Sequence, residues 1–113
     1  MDGFSILDRL ADITGGNVLH GGNITVKLLS EETVRKYFDG KSLRKAVFSL
    51  SVYGKDQEDV LGRAAAAVSA ASGISGIFAF KICGAQGDYT DRGNYLYTVK
   101  ISCRYFYDGG EGL

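Results

Sequence analysis

The side chains able to do chemistry are few and far apart. His20 is the single histidine, and it stands in a glycine-rich stretch. A general base needs an oriented partner within hydrogen-bond reach, and a zinc site needs three or four ligands. Cys83, Cys103 and His20 are too scattered to supply either, so His20 reads as a bystander in a loop. Carboxylates gather at Glu31-Glu32, at Asp56-Glu58-Asp59 and at Asp88/Asp91. The first two groups flank element ends, where carboxylates act as caps and solvated charge. The loop Asp88-Tyr89-Thr90-Asp91-Arg92-Gly93-Asn94 has oxygens enough for calcium. It lacks the spaced acids and terminal Glu of an EF-hand. A polar hairpin loop touching a partner is the preferred reading. Gly15-Gly16-Asn17 and Gly21-Gly22-Asn23 would offer backbone N–H groups to a phosphate. No Lys-Ser/Thr and no helix start follow them, so they read as a solvent-facing loop. No catalytic, cofactor-binding or metal-ligating residue is expected, and no enzyme.

Tyrosine is the informative residue type. Seven occur, four of them, Tyr95, Tyr97, Tyr105 and Tyr107, on one face of a single predicted strand. Tyrosine joins apolar area to a polar tip and is enriched in interfaces. It also forms sheets well. Interface and scaffold readings stay open for these four.

The elements that position them follow from periodicity. Residues 2–13 read as a helix capped by Asp2, with Phe4, Leu7, Leu10 and Ala11 on one face. Ile24, Val26 and Leu28 alternate with Thr25 and Lys27 as a half-buried strand, which Ser30-Glu31-Glu32 breaks. Asp39-Gly40 marks a turn, and Ala46–Tyr53 alternates again. The pair predicts a β-hairpin with a somewhat long loop. Asp56 caps a helix to about Ser72, whose stripe is Leu61, Ala64, Ala65, Val68 and Ala71. Gly73 then Ile74 reads as a C-cap with its hydrophobic contact. Ile77–Ala85 is a strand with Phe78, Phe80 and Ile82 on one face. Gln86–Asn94 is a polar loop, Tyr95–Tyr107 the longest strand, and Asp108–Leu113 a frayed tail. This order predicts one α+β domain over 1–113, a two-layer fold with a mostly antiparallel sheet packed against two helices. Thirteen residues at about 3.3 Å each make the last strand long for such a chain. Either part of it pairs with a neighbouring subunit, or it is a long bent hairpin in a monomer.

Composition bounds the function class. Lys plus Arg and Asp plus Glu both total 13, for a net charge of zero. That argues against a dedicated nucleic-acid binder and permits self-association. No apolar run approaches the length of a membrane span, and Met1–Leu10 does not read as a signal peptide. Both cysteines read as reduced, buried thiols of a cytosolic protein. Proline is absent and glycine numbers 16, so Gly, Asn and Asp make the turns.

One phrase carries a resemblance. Val34-Arg35-Lys36-Tyr37-Phe38-Asp39-Gly40-Lys41-Ser42, then Ala46-Val47-Phe48-Ser49-Leu50-Ser51-Val52-Tyr53-Gly54, then the helix at Asp56, resembles the minor capsid or tail terminator proteins of long-tailed phages and prophages. The pattern spans about residues 2–107. It departs from that family in lacking tryptophan and proline and in its alanine-rich second helix. The resemblance implies a virion structural role without catalysis. The chain would form a ring, commonly a hexamer, that caps the tail tube and meets the head connector, after waiting in the bacterial host cytoplasm. It needs no cofactor, no membrane and no sequence-specific nucleic acid. On this reading Tyr95, Tyr97, Tyr105 and Tyr107, the 14–23 loop and the 86–94 loop, with Tyr89 and Arg92, are the interface candidates. A head-to-tail interface closes into such a ring when its rotation closes. Two other readings stay open: another tail or baseplate component, and a small ligand-binding domain using the glycine loops.

Overall fold

Alternating apolar residues on four segments build one sheet. In the computed structural model, which describes residues 3–14, 24–90 and 92–108, the elements are α1 (Gly3–Thr14), β1 (Ile24–Lys36), β2 (Lys41–Gly54), α2 (Gln57–Ser72), β3 (Ile77–Tyr89) and β4 (Tyr95–Asp108). The strands order β1-β2-β4-β3, and every neighbouring pair is antiparallel. α1 packs on β1 and α2, and α2 packs on β2 and β4. The fold is the expected α+β two-layer arrangement. The expected cap Asp2, the 14–23 loop beyond Thr14, with His20 in it, and Asp91 lie outside the described residues.

The core lies where both helices meet the sheet. Val26, Ala46, Phe48, Leu50, Val52, Ile101 and Cys103 point into it from the sheet. From α2 come Val60, Ala64, Ala67 and Ala71, spaced four, three and four apart. This stripe is rotated from the expected one: Ala65 is exposed, and Leu61 and Val68 are half-buried. On α1 the buried face is Ile6, Leu7, Leu10 and Ala11. Ile6 and Leu10, four apart, set that face and leave Phe4 at its margin, 68% exposed.

Strand bounds differ from the sequence expectation for local reasons. Ser30-Glu31-Glu32 does not end β1. Register shifts between Leu28 and Ser30 and between Thr33 and Arg35 absorb the irregularity as bulges, and pairing continues to Lys36 with Ser42. The hairpin loop is therefore tight. Tyr37 N donates to Lys41 O at 2.9 Å, Gly40 N donates to Tyr37 O at 3.3 Å, and Lys41 N donates to Asp39 Oδ1 at 3.1 Å. Gly40 takes φ +86°, a region that penalises a Cβ. β3 likewise runs past Ala85, with Gln86–Tyr89 paired to Thr98–Tyr95, so only Thr90–Asn94 remain as a turn. Bulges in β3 also separate its apolar residues. Register puts Phe78 opposite Arg104 and Ile82 opposite Ile101, on opposite faces of the sheet.

The caps of α2 follow the sequence at one end only. Asp56 Oδ1 accepts from Glu58 N at 3.1 Å, as an N-cap should. Gly73 ends the helix with its N–H on Ala70 O, and Ile74 N donates to Ala71 O, but Gly73 is at φ −92° rather than in the left-handed region. Ile74 is buried just beyond it.

β4 is not available for strand addition. β2 occupies one of its edges from Tyr95 to Asp108, and β3 the other from Tyr95 to Tyr105. Its length is used inside the sheet, whose edges among the described residues are β1 and β3.

Candidate interaction surfaces

At the end of the sheet where α2 begins, aromatics gather around the β3–β4 turn. Tyr95 is 8% exposed, and its hydroxyl fills the space that a Cβ on Gly87 would need. Tyr89 meets it edge-on at 5.1 Å and donates from its hydroxyl to Gln57 Oε1 at 3.0 Å. Asn94 Nδ2 donates to the Tyr53 hydroxyl at 2.6 Å. Tyr89 and Arg92 are exposed, while Tyr95 belongs to the scaffold beneath them.

At the other end, helix-side positions beyond the reach of α2 are polar. Arg44 Nη1 bonds Glu31 Oε1 at 2.9 Å, and its guanidinium lies 3.8 Å from the centre of the Tyr107 ring. Tyr105 is fully buried, and its hydroxyl has no hydrogen-bond partner among the described residues. Burial first, then the nearby Glu31 carboxylate, raises its pKa above the ordinary tyrosine range. For Tyr95 and Tyr105 the structure thus selects the scaffold role. Tyr97 and Tyr107 are half-buried.

Between α2 and β3 runs an apolar groove of about 460 Å³, walled by Leu61, Ala65 and Val68 on the helix and by Ile82, Ala85 and Tyr97 on the sheet. α2 lies over β2 and β4 and leaves the helix-side face of β3 open, so Ile82 is 56% exposed. The sequence signal for this groove was the breadth of the apolar arc on α2. Its half at 61, 65 and 68 exceeds what the core takes. Ile82 was missed because the bulges that turn it away from Phe78 cannot be read from alternation.

Cys103 is buried and Cys83 exposed; both are free thiols. The expectation of two buried cysteines fails at Cys83, which sits at the Ile82/Gly84 register shift of an edge strand. Burial pushes the Cys103 thiol from 9.0 up to about 11. Among the described residues no three His, Cys, Asp or Glu side chains are grouped to hold a metal ion. No described helix is long and apolar enough to cross a membrane.

The sequence matches no family model and no curated protein. Among solved structures, the chain is similar to one from the virion of a native gene transfer agent particle, with 15% identity and a TM-score of 0.48 over 92% of this chain and 91% of that one. It is also similar to the type 4 fimbrial biogenesis protein PilO from Pseudomonas aeruginosa, with 10% identity and a TM-score of 0.42 over 92% of this chain and 67% of that one. At these values neither likeness assigns a function.

Proposed function

We propose that the chain is a structural component of a phage-type particle and works by assembly with other chains rather than by catalysis. The free edge of β3 beside an uncovered apolar groove supports this reading. From Gly84 to Tyr89 the strand pairs regularly with β4. Its outer edge offers about 20 Å of unpaired backbone. A strand from another subunit would complete that edge, and an apolar side chain on it would enter the groove at Ile82.

The finer reading rests on the strand-turn-strand phrase around Asp39-Gly40. The chain would form a closed ring, a hexamer by resemblance, that ends the tail tube and presents its far side to the head connector. The virion is then its place of work. Tyr89 and Arg92, at the turn that closes this β3 edge, are the contact residues of that ring.

Light scattering over a range of concentrations tests the proposal. The purified chain is expected to pass from monomer to one discrete larger mass. Ile82→Lys, which puts a charge at the groove while sparing the core, is expected to hold it monomeric with an unchanged melting temperature. A chain that stays monomeric throughout, alone and with tail tubes added, would overturn the reading.

A further inference from the structure

Net neutrality conceals a segregation of charge that the sheet register makes visible. On the face of the sheet opposite the helices, register aligns Lys27, Ser49 and Lys100 in one row, and Glu32, Lys45, Arg104 and Phe78 in another. Arg35, Leu43 and Phe106 form a third row. Lys81 lies on the same face opposite Ser102, and Lys41 lies there opposite Asp108. That gathers seven of the chain's 13 Lys and Arg on one open surface. Against them the register sets Glu32, Asp88 and Asp108 on that face, and Asp39 borders it at the hairpin turn, which leaves the cations in excess by seven to four.

Lys45 and Arg104 stand directly opposite each other on adjacent strands. Like charges in that position destabilise a sheet. Glu32 stands on the far side of Lys45 and leaves Arg104 without a facing acid in that row, and such broken local rules are expected at functional or strained sites. Aromatic rings cross the same face beside them. Phe106 lies 5.3 Å from Phe78 and 6.3 Å from Tyr37, centre to centre. Phe106 is 53% exposed, and Phe78 and Tyr37 are 40% exposed. An open hollow of about 550 Å³ is bounded by Tyr37, Asp39, Lys41 and Phe106.

Cations spread over four strands, with exposed aromatic faces among them, match a flexible polyanion that carries flat apolar groups. We infer that this open sheet face binds single-stranded nucleic acid without sequence preference. Phosphates lie along Lys45, Arg104, Lys81 and Lys100, and unpaired bases stack on Phe106 and Phe78. A second copy of the chain does not fit the face as well. The described carboxylates of α1, α2 and the turn between β2 and α2 outnumber the cations there by only five to three, Asp8, Asp12, Asp56, Glu58 and Asp59 against Arg9, Lys55 and Arg63. The inference is independent of the ring reading, and it corrects the weight given to net charge: placement decides, and the total does not.

The test is fluorescence anisotropy of a labelled oligothymidylate of about 20 nucleotides with the full chain. About four phosphate contacts give a log–log salt slope near −3 for a single strand, so binding is expected to weaken roughly 60-fold between about 50 and 200 mM salt. Lys45→Glu with Arg104→Glu should weaken it at least about tenfold. Phe106→Ala should weaken it about fivefold or more, with an unchanged melting temperature. Lys55→Glu, on the helical side, should leave affinity unchanged. Absence of binding at low salt overturns the inference. So does equal affinity for a duplex of the same length. Displacement by polyglutamate as effective as by oligothymidylate, with Phe106→Ala silent, overturns it in favour of an acidic protein partner.

Discussion

The two cysteines differ in what surrounds them, and their reactivity should report it. Cys83 is exposed on the edge strand β3, and Cys103 is enclosed by the core with its thiol pushed up to about 11. In the native chain one thiol is expected to react with a maleimide within minutes. The second should react only under denaturant, and mass spectrometry of the labelled peptides assigns each. Rapid labelling of both would contradict the placement of β4. The same shift gives a pH dependence. The folded chain holds a proton on Cys103 that the unfolded chain releases above 9.0. This contribution to stability is therefore complete below pH 9 and is lost as pH rises towards about 11, at a slope of at most about 1.4 kcal/mol per pH unit. Cys103→Ala should flatten that part of the urea-midpoint profile. Tyr105 makes a different prediction. Its hydroxyl is buried without a partner, so Tyr105→Phe should leave stability unchanged or raise it by up to about 1 kcal/mol. A clear loss would show that the hydroxyl is bonded to the Arg44–Glu31 pair.

Elements were legible where one periodicity ran unbroken. Phe48, Leu50 and Val52 on β2, the Asp56 cap and the long β4 could all be read because each obeys a single local rule. Phe48 is fully buried at the centre of the core, so Phe48→Ala should cost about 3–5 kcal/mol in urea melts. Legibility failed where two rules compete. Ser30-Glu31-Glu32 has the composition of a break, yet pairing with β2 overrides it and a bulge takes up the mismatch. Gln86–Tyr89 looks like a loop because its glycine and charge suit an edge strand as well as a turn. The candidate interface residues were less legible than the fold. A tyrosine spacing shows which residues share a face and not whether the chain itself covers that face. Here the folded chain buries Tyr95 and Tyr105 and leaves the β3 edge open. The charged face was hidden for a related reason. Lys27, Lys81 and the Lys100/Arg104 pair come from three strands distant in sequence, and only the order β1-β2-β4-β3 brings them together.

The molecule is a rod of 53 × 23 × 22 Å, with a radius of gyration of 15.4 Å against about 13 Å for a compact chain of this length. Its shape follows from a mismatch of element lengths. A 16-residue helix reaches about 24 Å, whereas a 14-residue strand reaches about 46 Å. The helices therefore cover only part of the sheet, and the tip of the β1–β2 hairpin stands clear of the core. Residues 32–39 are exposed throughout, including Phe38 at the tip. A segment with so little buried area contributes little to folding. Replacing residues 34–43 by Asn-Gly keeps Thr33 opposite Arg44, the register they already hold, and Asn-Gly closes a two-residue hairpin turn. The shortened chain should unfold cooperatively and lose less than the cost of Phe48→Ala, roughly 2 kcal/mol for Ser42, Leu43 and their pairing with β4. It should also lose affinity for single strands, because Tyr37, Arg35 and Lys41 go with the tip, while its concentration-dependent assembly through β3 persists. A stability loss as large as that of Phe48→Ala would place the hairpin tip within the folding core. Loss of assembly together with nucleic-acid affinity would show that both surfaces lie at one end of the rod, and would move the subunit interface from β3 to the hairpin.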